Sequence, residues 1–203
     1  MKKQLFRGLM VGVLTCVGAG VSPLAQADGT PSLDLTVKAN ITTGTCSASI
    51  IGKGGATNTI GFGNVYISEL VAKTKVETFK LRFSDCAGLK EKKATVVLAP
   101  ATGTGCAGGK AQNAEFANAS TQTQKAQRTA VEVWTTDVPQ SADSEQFHCY
   151  NKNAQTVDLA GASTTTPVDV PLSARMVPVS GYGVSDITAG DFYSPTVFTI
   201  TYQ

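Results

Sequence analysis

The chain has 203 residues, enough for one domain and at most two. It carries 17 Lys and Arg against 15 Asp and Glu, with 42% hydrophobic and 16% charged residues, too apolar for a disordered chain and without the basic excess of a nucleic-acid binder. Its single histidine, His148, argues against a multi-histidine metal site and leaves one candidate imidazole base.

Residues 1–27 read as a secretory signal. Lys2, Lys3 and Arg7 precede a mostly apolar run from Leu9 to Val21, too short for a membrane span, and Ala25-Gln26-Ala27 is an A-x-A cleavage site. Cys16 lies in that run, but Thr15 before it does not suit a lipoprotein site. Removing three basic and no acidic residues leaves 176 residues with 14 basic and 15 acidic, net −1.

Period-2 alternation dominates the remainder, and each such run predicts a strand with one buried face. Leu33, Leu35, Val37, Ala39 and Ile41 alternate with Asp34, Thr36, Lys38 and Asn40. Phe79, Leu81 and Phe83 alternate with Lys80 and Arg82, and Val96 to Ala99 is a short apolar run. Residues 100–128, rich in Gly, Ala, Asn and Gln, read as a loop. Val131 and Val133 flank Glu132, and Trp134 beside them reads as sheet packing. Val168, Val170, Leu172, Ala174 and Met176 form the longest run after the first; Phe198, Ile200 and Tyr202 form the last. Glycines at 52, 54, 55, 88, 181 and 183 punctuate them, and no long segment has helical periodicity. The pattern predicts an all-β, immunoglobulin-like antiparallel sandwich.

Cys46, Cys86, Cys106 and Cys149 are an even count in an exported chain, which implies two disulfides and allows three pairings. Cys46 and Cys86 flank strand regions while Cys106 and Cys149 sit in loop-like insertions, which favours 46–86 with 106–149. No G-x-S-x-G, GxxxxGK[ST] or GxGxxG motif is present, and no cofactor is expected. His148 adjoins a cysteine expected to be oxidised and reads as a loop residue. The cluster Lys90, Lys92 and Lys93 reads as a solvated turn. The sequons at Asn40 and Asn118 read as coincidences in an export context of bacterial type.

Three features converge at the chain ends. An alternating strand at 33–41 precedes Thr42-Thr43-Gly44-Thr45-Cys46; the second cysteine follows 40 residues later in Ser84-Asp85-Cys86; and Ala189-Gly190 leads to Thr196-Val197-Phe198-Thr199-Ile200-Thr201-Tyr202-Gln203, with a penultimate tyrosine. Together they resemble a chaperone–usher pilus subunit of the type 1 and P pilus family, over essentially the whole mature chain.

The resemblance implies a pilin fold: a sandwich missing its last strand, with domains at 1–27 (signal peptide), 28–45 (N-terminal donor-strand extension) and 46–203 (pilin domain). It implies that a periplasmic pilus chaperone lends a strand, which the next subunit's extension replaces at the outer-membrane usher. Leu33, Leu35, Val37, Ala39 and Ile41 would be the donor anchors. Gly190, Phe198, Ile200 and Tyr202 would belong to the terminal region beside the groove. The expected role is a structural subunit of an adhesive pilus, exported through the periplasm to the cell-surface fimbrium, with neighbouring subunits as partners and no enzymatic activity. Two departures stand out: Ala39 where many relatives have glycine, and the second cysteine pair. The alternatives are a minor tip-associated subunit whose 100–128 loop touches a receptor, and a secreted sandwich enzyme using His148.

Overall fold

The computed structural model describes residues 38–39, 43–108 and 113–203. The signal segment and the donor positions Leu33, Leu35, Val37 and Ile41 lie outside the described residues; Ala39 is exposed and in no strand.

Among the described residues, nine strands form two antiparallel sheets. The strands are β1 (Thr45–Gly52), β2 (Gly55–Thr57), β3 (Val76–Ala87), β4 (Lys93–Pro100), β5 (Phe116–Ala117), β6 (Thr129–Trp134), β7 (Gln155–Asp158), β8 (Val168–Pro178) and β9 (Thr196–Tyr202). The larger sheet runs β2-β1-β3-β8-β6-β5 and the smaller runs β7-β4-β9. A short α-helix, α1 (Ile67–Val71), buries Leu70; the Glu69 carboxylate accepts the Tyr66 N–H at its start, at 2.8 Å.

The core follows the alternation. Phe79, Leu81 and Phe83 of β3, Ala94, Val96 and Leu98 of β4, and Leu172, Ala174 and Met176 of β8 are all buried. The opposite face of β3 keeps its charges in solvent. Arg82 stands directly across from Asp169 of β8 and grips its carboxylate through Nε at 2.6 Å and Nη2 at 2.8 Å, with Lys80 at 3.4 Å. The hydrogen bond from Arg82 holds the Asp169 carboxyl below its ordinary value. Its contribution to stability is therefore present above the ordinary carboxylate pKa and is lost as pH falls through the lowered one.

Several elements depart from the sequence expectation. β1 has no alternating apolar pattern; its first residues, Thr-Cys-Ser-Ala-Ser, are small or polar, yet six of its residues register against β3. Phe116, inside the expected 100–128 loop, is fully buried and anchors β5 against Val131. β6 is buried on both faces, Glu132 included. The reason is the 135–146 segment, which covers the outer face of β6 and β8. Ser173 Oγ donates to the Thr136 carbonyl at 2.6 Å, and Arg175 Nη1 donates to Gln140 Oε1 at 3.1 Å. Beneath that cover Glu132 Oε2 accepts from Arg175 Nη2 at 2.6 Å, Arg175 Nε at 2.9 Å and Trp134 Nε1 at 3.1 Å. One oxygen of the buried carboxylate thus meets three donors, two of them from the guanidinium that carries its counter-charge, the condition under which a charge tolerates an apolar surround.

Disulfides join Cys46 to Cys86 and Cys106 to Cys149. The first ties the start of β1 to the end of β3 beside a close backbone approach. A Cβ on Gly44 would collide with the Gly88 carbonyl oxygen, so glycine is required there.

Candidate functional site

β9 carries the site. Its odd positions, Val197, Thr199 and Thr201, are exposed, and Phe198, Ile200 and Tyr202 point to the core. It pairs with β4 along its whole length, Ile200 opposite Val96 and Phe198 opposite Leu98. Its other edge has no strand partner among the described residues.

The two strands share an inner face but not a degree of burial. Val96 and Leu98 are each 1% exposed, whereas Phe198, Ile200 and Tyr202 are only half-buried. A central strand is flanked on both sides; an edge strand leaves one flank of each inward side chain uncovered. Ile50, Ile60, Phe62 and Val65 are likewise apolar, partly buried and packed against the same core.

Two of the three inward side chains of β9 are held by specific partners. The Phe198 ring meets Phe147 edge-on at 5.8 Å, and Tyr202 meets Phe83 edge-on at 6.3 Å. Tyr202 Oη donates to the Cys46 carbonyl of β1 at 2.9 Å. Burial pushes the Tyr202 phenol up, so it stays a donor throughout the neutral range. The strand therefore leans on both sheets while its free edge stays open.

Gly190 lies in the approach to β9, not in the strand. Its φ is +153°, and an added Cβ would collide with the Gln124 carbonyl oxygen and stand 2.6 Å from Ala126 N. The segments are clamped there by Asp191 N–H to Gln124 O at 2.8 Å and Ala126 N–H to Asp191 O at 2.9 Å. Replacing Gly190 with alanine is expected to cost about 1–3 kcal/mol, because a strained φ and a backbone collision coincide. Chemical unfolding of G190A beside a control such as G181A, where an added Cβ meets nothing within 4 Å, checks this; equal shifts would refute the close-approach argument.

The other candidates do not come together with β9. His148 Nδ1 accepts the Asn151 N–H at 3.3 Å within a turn, and Cys149 is held in its disulfide. Among the described residues no group of three or more His, Cys, Asp or Glu is placed to hold a metal ion. Asn118 Nδ2 donates to the carbonyls of Ala126 and Asp191, both at 2.9 Å, so its amide nitrogen is engaged inside the fold.

No family model matches the chain. A relative, the uncharacterized fimbrial-like protein YadL of Escherichia coli (strain K12), is 39% identical over 201 residues, covering 98% of both chains. The P pilus rod subunit PapA superposes with a TM-score of 0.52 at 18% identity, covering 78% of this chain and 99% of that one. A chaperone–usher pilus structure superposes at 0.51 and 19% identity, covering 91% of this chain and 100% of that one. The two superpositions establish the pilin sandwich as the fold, and the full-length identity establishes descent: the chain belongs to the fimbrial-like proteins.

Proposed function

We propose that this chain is a structural, non-catalytic subunit of an adhesive pilus that polymerises by accepting a neighbour's strand along the open edge of β9. One observation carries the reading: the inward side chains of β9 are half-covered while those of β4, one strand away, are fully covered. An apolar edge of that kind is an association hazard unless another chain completes it.

The donor is the extension at 33–41 of the next subunit. Burying Leu33, Leu35, Val37 and Ile41 would contribute roughly 1.5–3 kcal/mol each, and main-chain hydrogen bonds about 0.5–1.5 kcal/mol apiece. The sum supports a long-lived joint after ordering costs. A periplasmic chaperone supplies the temporary strand, and an outer-membrane usher hosts the exchange on the way to the cell surface.

The test is export with a chaperone of this class, comparing the full chain with one lacking residues 28–43. The full chain is expected to give detergent-resistant, heat-labile multimers. The shortened chain is expected to bind chaperone but to yield none. Equal multimer yields would overturn the donor assignment.

A further inference from the structure

A second opening lies on the far side of the smaller sheet, away from β9. β7 is the other edge strand, and it pairs only with β4 among the described residues. Beside it, between β7 and β8, is a cavity of about 410 Å³. That lies within the size range of functional ligand sites, roughly 300–1,000 Å³. Its floor is apolar: Leu81, Val96, Val157 and Leu172 are at most 9% exposed.

The rim is acidic. Asp143, Glu145, Asp158 and Asp169 line the cavity, and no lysine or arginine does. Asp169 is committed to Arg82 and Lys80, and Asp158 stands across the sheet from Lys93. Asp143 and Glu145 are exposed, and neither has a cation within ion-pair distance among the described residues. Gln155, on β7 itself, lines the same cavity, and its Nε2 is buried with no hydrogen-bond acceptor.

We propose that this cleft is a second strand-acceptor site, which takes an extended peptide carrying a lysine or arginine beside β-branched apolar residues. Three chemistries converge on that occupant. The free edge of β7 offers a backbone ladder, which a peptide can extend and a small cation cannot. The floor accepts apolar side chains at alternate positions. The Asp143 and Glu145 carboxylates complement a basic side chain at the rim. The inference goes beyond polymerisation at β9 and does not depend on it.

The probe is a fluorescent VRVKV pentapeptide titrated into the full mature chain, with VEVEV as the control. Saturable binding of VRVKV only is expected, falling steeply with added salt. D143N/E145Q is expected to weaken it about tenfold, since two exposed ion pairs with the peptide are removed. Both positions are exposed, so a circular dichroism spectrum matching the parent's is expected from that variant. Amide exchange on the parent chain supplies the location: protection should rise at 155–158. No saturable binding, equal binding of VEVEV, unchanged affinity in the double variant, or protection confined to 196–202 would each overturn the proposal.

Discussion

Loss of the Cys46–Cys86 bridge, as C46A/C86A, will lower the stability of the folded body by about 4 kcal/mol. The bridge closes a separation of 40 residues, and cross-linking a loop of that length restricts the unfolded chain by about that amount in the chain-entropy model. The effect reaches the site because Cys46 is also where Tyr202 of β9 hydrogen-bonds to β1. With the start of β1 released, amide exchange at the end of β9 should accelerate along with the global shift. Removing Cys106–Cys149, with its separation of 43 residues, should cost a similar total and leave β9 exchange slower than in C46A/C86A. Urea unfolding of both double variants, read with exchange at 200–202, checks this. A loss below about 1 kcal/mol for C46A/C86A would mean that entropy does not govern the bridge.

Arg175→Met will be nearly as damaging as the lost bridge, at about 3–5 kcal/mol, although it removes no covalent link. Arg175 and Glu132 side chains are 7% and 6% exposed, so truncating one leaves the other charge buried and uncompensated. Glu132→Gln should be destabilising for the same reason. The double variant E132Q/R175M should recover much of the loss, because a neutral amide still offers an oxygen to Trp134 Nε1 while no lone charge remains. Equilibrium unfolding of the two single variants and the double gives the coupling energy. A double variant as unstable as the sum of the singles would show that the loss comes from packing and not from the stranded charge.

Much of this architecture is legible in residue order. β3, β8 and β9 announce themselves because a strand with one face on a core must alternate apolar and polar side chains, and theirs do; β4 announces itself instead as a short, continuously apolar run. β1 and β7 do not. β1 opens on small polar residues and β7 buries only Val157, so their pairing with neighbours, not their own patterning, makes them strands. Phe116 shows the converse: a lone buried aromatic in a Gly- and Ala-rich stretch carries no period to detect.

Glu132 is the instructive failure. Its place between Val131 and Val133 marks it as solvent-facing, and it would be, if nothing lay over the outer face of β6. The 135–146 segment covers that face, and Arg175, 43 residues away, supplies the counter-charge. Alternation reports which way a side chain points; it carries no information about what waits on that side.

Order along the chain by itself determined the class of fold, the four cysteines available for bridging, and the inward row Phe198, Ile200 and Tyr202. Tertiary structure alone decided that this row stays half-covered while the matching row of β4 is closed over. Both strands turn alternate residues toward the core; what differs is that β4 has strand neighbours on both sides and β9, among the described residues, on one, and the number of flanking strands is a property of the assembled sheet.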